Sequence, residues 1–388
     1  MAWDSVHLFE CPTRVRYGVG AAAEAGARLA ELDVSRALLV SDPGIQAAGA
    51  VDRVAEYVNG SGIDVVPYLE VEPNPTTENV DGIVALFAEH RCDGLIGLGG
   101  GSSMDAAKAA SALVANGGSV VDYAGKDKVP QRGPPVLCMP TTCGTGAEVT
   151  FVVVITDPDR HFKIVCASRN LAASVALVDP ELVLSAPPAV IAATGADALA
   201  HATESFVNLG SDPLLDSINI AAIRMIGENL RPAVNGGDPG AIGQLSLASV
   251  MTGIAFNMNA NAVVHAASTP VTAHHAVPHG VANAIFLAEG LDLLRPGCEE
   301  KLAAIASALG ERVGGLGVEQ AAVLGVAAVR LLLSDVGLPS TLREFGIDPE
   351  DVDIPTLVED AMKSRNIATN PRPVGPGELD SLYRAVIG

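Results

Sequence analysis

Four histidines, His265, His274, His275 and His279, fall within one short stretch of a chain that holds only eight. Further upstream, Gly195-Ala-Asp197-Ala-Leu-Ala-His201 sets a carboxylate and an imidazole four residues apart, on one face of a helix. That pair lies in an apolar Ala/Leu run, where an unpaired charge is costly. His265 follows the helical Val263-Val264, and His279 sits in Pro278-His-Gly280, a turn able to present it to a neighbouring helix. One carboxylate with three imidazoles is a donor set for Fe(II) or Zn(II). The alternative is that each histidine is an ordinary core residue, and spacing alone does not bring the four together.

A second chemistry is suggested by glycine. Gly99-Gly-Gly-Ser-Ser103 follows an apolar strand and opens a helix. There the backbone can approach a pyrophosphate, and the helix N-terminus attracts it. Asp105, in the first helical turn, belongs to the same candidate cofactor segment or serves the helix dipole. Asp42 ends an earlier strand, where a carboxylate can bond ribose hydroxyls and repel a 2′-phosphate, or else cap the next helix. Thr141, Thr142 and Thr145 bring three hydroxyls to one loop behind a strand. Gly18-Val-Gly20 lacks the flanking strands of a dinucleotide fingerprint and reads as a turn before a helix.

The elements that must hold these residues fall into two textures. Strands are expected at 37–42, 64–71, 93–98, 135–139, 150–156 and 175–178, with helices over 46–59, 77–90 and from about 101 to 115. Strands separated by helices imply a parallel sheet with helices on both faces. Beyond about residue 185 long Ala/Leu/Val/Ile stretches at helical spacing take over. The expected division is an α/β domain over 1–185 and an all-helical domain over 186–388, with the boundary near Pro187-Pro188. Val234 to Gly240 reads as a turn between helices. At 388 residues, with 49% hydrophobic and 4% aromatic content, the chain can build large aliphatic cores without metal or disulfide staples.

With 24 Lys+Arg against 45 Asp+Glu the net charge is −21, which argues against nucleic acid or an anionic membrane as partner. No secretory signal is evident at the N-terminus. The longest apolar candidate, Ala321 to Leu333, is too short to span a bilayer and is expected to be a buried helix. Six cysteines without a CxxC pair are expected to be free thiols in a reducing cytoplasm.

Taken together, these segments resemble the iron-containing (group III) alcohol dehydrogenase family. The matching stretches are Pro73-Asn-Pro-Thr76, Gly99-Gly-Gly-Ser-Ser-Met-Asp105 through Lys108, and Pro140-Thr-Thr-Cys-Gly-Thr-Gly-Ala-Glu-Val-Thr150. Ala193-Thr-Gly-Ala-Asp-Ala-Leu-Ala-His-Ala-Thr-Glu204, Val264-His265, Pro278-His-Gly-Val-Ala-Asn-Ala284 and Asn370-Pro-Arg372 complete the set. The resemblance implies a dinucleotide-binding α/β domain, an all-helical domain and an active site in the cleft between them. It implies a divalent metal, Fe(II) or alternatively Zn(II), on Asp197, His201, His265 and His279. It also implies NAD(H) contacts from Asp42, Asn74, Gly100, Gly101, Ser102, Thr141, Thr142, Thr145 and Lys163, and a homodimer acting on a small alcohol or aldehyde.

One departure stands out. Many members carry a second histidine four residues after the third ligand, where this chain has Thr269. His274, His275 or the Thr269 hydroxyl with a water are the candidates for the missing proton relay, and the substrate is expected to be atypical. Pocket walls are expected near Phe256 and Met258, with Phe151 a further candidate. Two other functions share parts of this pattern: a dehydroquinate synthase-like NAD/Zn lyase and a non-catalytic NAD- and metal-binding redox sensor.

Overall fold

The computed structural model describes residues 6–158 and 162–388. It divides into two compact units, Glu10–Ala186 and Pro187–Gly388, with residues 6–9 joining the second. That N-terminal assignment differs from the expected 1–185. His7 Nδ1 lies 3.7 Å from Asp212 Oδ2, which ties the first residues to the helical unit.

Among the described residues the first unit is built on nine strands: β1 (Arg14–Tyr17), β2 (Arg36–Val40), β3 (Asp64–Tyr68), β4 (Gly94–Gly99), β5 (Gly125–Lys126), β6 (Val136–Pro140), β7 (Val152–Asp157), β8 (Phe162–Ala167) and β9 (Val175–Val178). Six of them form a parallel sheet in the order β1-β9-β6-β4-β2-β3. Successive residues of a strand point to opposite faces, and here both faces are covered. Leu38, Leu95 and Cys138 enter one apolar cluster, while Leu39, Ile96 and Met139 enter the other. The helices are α1 (Ala25–Ala30), α2 (Pro43–Ala47), α3 (Ala50–Asn59), α4 (Thr77–Glu89) and α5 (Gly101–Asn116).

Several local expectations needed revision. The helix expected over 46–59 is broken, because Gly49 takes a left-handed φ of 77° and starts α3 afresh. β1 and β8 were not apparent from periodicity: β1 is a mostly exposed edge strand, and β8 mixes buried and exposed positions. β8 pairs antiparallel with β7 and parallel with β5 in a separate three-stranded sheet. Gly18 and Gly20 lie at a turn, and Gly20 precedes a short 3-10 segment whose Ala22 N–H is taken by Asp179.

The second unit is helical: α6 (Pro188–Val207), α7 (Pro213–Gly236), α8 (Pro239–Asn259), α9 (Val263–His275), α10 (His279–Leu294), α11 (Glu299–Ala308), α12 (Val318–Asp335), α13 (Leu342–Phe345), α14 (Ile354–Met362) and α15 (Pro376–Ile387). Asp212 and Asp238 accept the first N–H groups of α7 and α8, each with proline at the next position, a strong start signal. From Gly195 to Val207 every residue of α6 is buried, so this helix runs through the core. Among the described residues, α8 rather than 321–333 is the helix long and apolar enough to cross a membrane. Some 56% of its apolar window is buried in the protein, as in a core helix. Among the described residues no disulfide links the six cysteines.

Candidate metal and nucleotide sites

Each helix of the first candidate site contributes through its own local logic. On α6, Asp197, His201 and Glu204 follow one another at spacings of four and three, so they share a face. α10 begins at His279, and its Gly280 lets it lie directly on α6. A Cβ there would sit 2.2 Å from the Ala193 carbonyl and 3.4 Å from Asp197 Cβ. His265 stands in the first turn of α9.

Ligand atoms of Asp197, His265 and His279 lie within 4.8 Å of one another. Asp197 Oδ1 is 4.0 Å from His265 Nε2 and 3.7 Å from His279 Nε2. The Asn283 amide nitrogen donates to Asp197 Oδ1 at 2.7 Å and stands 3.1 Å from both ring nitrogens. The three ligand atoms thus face one common point. Ser268 Oγ donates to the Asn283 carbonyl and fixes that amide. His201 is adjacent but outside the trio: its Nδ1 is 3.9 Å from Asp197 Oδ2. Its ring stacks between Phe256, at 4.2 Å, and His265, at 4.6 Å.

The electrostatics suit a cation. Burial works to raise the Asp197 carboxyl, but the imidazoles of His201, His279 and His265 and the Asn283 amide outweigh it and hold the group below its usual range. Burial pushes His265 down to about 4 against the attraction of Asp197, so its ring is neutral at pH 7 and can offer a lone pair. An anionic oxygen with imidazole nitrogens, Asp197 and His265 buried and His279 half-buried, is a donor set that fits Fe(II) or Zn(II).

The relay candidates are placed otherwise. Thr269 Oγ1 donates to the His265 carbonyl at 2.7 Å, inside its own helix. His274 is exposed and paired with Asp360 at 2.9 Å. His275 is half-buried at the end of α9, and burial and the neighbouring His274 lower its pKa. Glu204 and Asn283 lie inside the matching motifs, and spacing alone assigns them no role. Their signal was a buried carboxamide and carboxylate in otherwise apolar helices.

In the α/β unit, Gly100 precedes α5 with no side-chain cap, which leaves the first N–H groups of the helix available. Cβ atoms at Gly100 and Gly101 would lie 3.7 and 3.2 Å from the hydroxyls of Thr142 and Thr145, so both threonines flank this helix start. Thr141 is buried, and its hydroxyl has no hydrogen-bond partner. Ser102 Oγ donates to the Pro73 carbonyl at 2.5 Å, which draws the segment of exposed Asn74 to the glycines. Asp42 spends Oδ1 on capping α2, through Gly44 and Ile45 at 2.8 and 3.0 Å. Burial alone lowers the pKa of Lys163, with no described charge offsetting it. Free N–H groups, an orphan hydroxyl and a desolvated lysine fit a phosphate-bearing cofactor.

Asp105 is placed differently from its expected cofactor role. Its carboxylate accepts the Val154 N–H at 2.9 Å and pairs with Lys108 at 3.0 Å. Lys108 is fully buried and donates to the carbonyls of Ala147 and Val152, each at 2.8 Å. The pair therefore clamps the threonine loop from beneath.

Comparison with known proteins agrees with this geometry. A family model described as iron-containing alcohol dehydrogenase matches residues 12–180, and its C-terminal counterpart matches residues 191–387. Choline dehydrogenase of Bacillus subtilis is 37% identical, covering 97% of this chain and 94% of that protein. NAD-dependent methanol dehydrogenase of Bacillus methanolicus is 35% identical over 94% and 95%. The crystal structure of a 1,3-propanediol oxidoreductase superimposes with a TM-score of 0.96 at 35% identity, covering 99% of this chain and all of that one.

Proposed function

From the premise that the chain belongs to the iron-containing alcohol dehydrogenase family, we propose which of its residues run the reaction. The protein is a metal-dependent, NAD(H)-linked alcohol dehydrogenase and aldehyde reductase. Asp197, His265 and His279 hold the metal, and His201 joins them from its stacked position. The convergence of the first three ligand atoms, two of them on buried residues, carries this reading. When bound, the metal acts as a Lewis acid on the substrate oxygen, lowering the pKa of an alcohol or polarising a carbonyl. NAD+ held at the glycine and threonine loops would supply the hydride acceptor for the carbinol carbon, with the hydroxyl proton leaving to solvent, and NADH would supply the hydride for the reverse reduction.

The chain's own residues prepare this. Asp197 stays ionised and His265 neutral, so both offer lone pairs at working pH. Phe256 covers the His201 ring and keeps water from that side. Asn74, Gly100, Gly101, Ser102, Thr141, Thr142, Thr145 and Lys163 would bind NAD(H), and Asp42 would bond its ribose. The α/β unit is the cofactor domain and the helical unit the metal domain, in a cytoplasmic homodimer without nucleic-acid or membrane partners.

The relatives' names span choline, methanol and 1,3-propanediol, so the substrate is a small alcohol or aldehyde of unspecified type. The test is NADH consumption against an aldehyde and ketone panel, after anaerobic loading with Fe(II) or Zn(II). Turnover with either metal is expected. Failure across the panel, despite NADH binding and one metal per chain, overturns the reading.

A further inference from the structure

Glu204 lies on α6, one turn beyond His201, and is fully buried. A buried carboxyl demands partners, and this one has three backbone N–H groups and an imidazole nitrogen. Oε1 accepts from the backbone of Ala262 at 3.0 Å and Val264 at 2.7 Å, while Oε2 accepts from the backbone of His265 at 3.3 Å. Oε2 also touches His265 Nδ1. The backbone bonds make Glu204 a remote cap for α9, whose own N-cap, Ala262, supplies no side-chain oxygen. The last contact has another consequence. Burial pushes the Glu204 carboxyl up to about 8, while the backbone bonds from Val264, His265 and Ala262 pull it down. As a carboxylate it accepts from Nδ1, which keeps the imidazole hydrogen there and leaves Nε2 as a lone pair. Nε2 is the atom that faces Asp197 and the Asn283 amide.

We propose that Glu204 is a positioning residue for the metal centre: through Nδ1 it sets the tautomer and orientation of His265, so that Nε2 is ready to ligate before the ion arrives. The inference rests on the metal reading above and adds to it a residue that acts through His265. Glu204→Gln separates this role from simple capping. The amide oxygen of glutamine keeps the two shortest backbone bonds, and its NH2 then meets Nδ1, forcing the ring hydrogen onto Nε2.

The experiment uses metal-free protein labelled with 15N-histidine, the His265 signal being identified by its loss in His265→Asn. In the parent protein the hydrogen is expected on Nδ1, and in Glu204→Gln on Nε2. In parallel, Zn(II) affinity is measured by competition with a chromophoric chelator. Glu204→Gln should bind about 10–100-fold more weakly, the usual cost of losing such an outer partner. A parent spectrum with the hydrogen on Nε2, as when a protonated Glu204 donates to Nδ1, overturns the proposal. So does Zn(II) binding by a folded Glu204→Gln as tight as the parent's. Should that variant fail to fold, the parent spectrum decides. If the parent binds no Zn(II) yet shows the Nδ1 hydrogen, the metal reading fails instead.

Discussion

The two candidate sites are built by opposite means. In the α/β unit, contacts come from main chain and short hydroxyls in loops contiguous in sequence, around Gly99–Ser103 and Thr141–Thr145. In the helical unit they come from long side chains on three helices, with Asp197, His265 and His279 held by a polar frame of Asn283, Ser268 and Glu204. The main-chain site shares its work among many groups, so single substitutions should produce graded losses. The side-chain site concentrates donors at one point, so losing one should be nearly complete.

The sharpest way to break that contrast is Asp197→Ala. Removing the one anion among the converging atoms should cost at least about 10³-fold in kcat/KM, the several kcal/mol a Lewis acid supplies. Metal content by elemental analysis should fall with it, while NADH affinity stays within about threefold of the parent. Metal-replete, active Asp197→Ala would end the metal assignment.

The loop site is probed by Gly99→Ala. Gly99 has φ +148°, and a Cβ there would meet Ser103 Oγ at 2.6 Å. The strain should destabilise the protein by about 1–3 kcal/mol and weaken NADH binding roughly tenfold, read by thermal unfolding and NADH fluorescence. Metal stoichiometry should not move. An Asp197-like collapse in activity would show that the main-chain site is as brittle as the other.

A third experiment uses pH. Burial pushes the Glu148 carboxyl from 4.5 up to about 7, so the fold holds a proton that the unfolded chain has already released. Its stabilising contribution is complete below about 4.5 and is lost as pH rises through 7. Glu148→Gln should therefore match the parent at pH 4 and exceed it at pH 8 by about 1–3 kcal/mol, measured by denaturant unfolding. The opposite trend would mean that the carboxyl is ionised in the fold. The smallest effect is expected from Thr269→Ala. Its hydroxyl bonds its own helix, so kcat and the pH–rate profile should shift by less than about twofold. A larger change would return Thr269 to the proton relay.

Much of this protein could be read from its residues. Burial on both faces of the parallel strands produces apolar runs such as Leu95 to Leu98, and the capped helix starts at Asp212-Pro213 and Asp238-Pro239 are local signals. The Asp197–His201 spacing and the Gly99–Ser103 turn are local too, because helix geometry and glycine's missing Cβ act within a few residues. What the chain could not disclose was pairing at a distance. Only the tertiary structure decided that Asn283 meets three ligand atoms, that Glu204 reaches from α6 to the start of α9, and that Asp105 turns inward to Lys108. Those choices follow from how helices and strands pack, and a buried polar group takes whichever partner packing brings within hydrogen-bond reach.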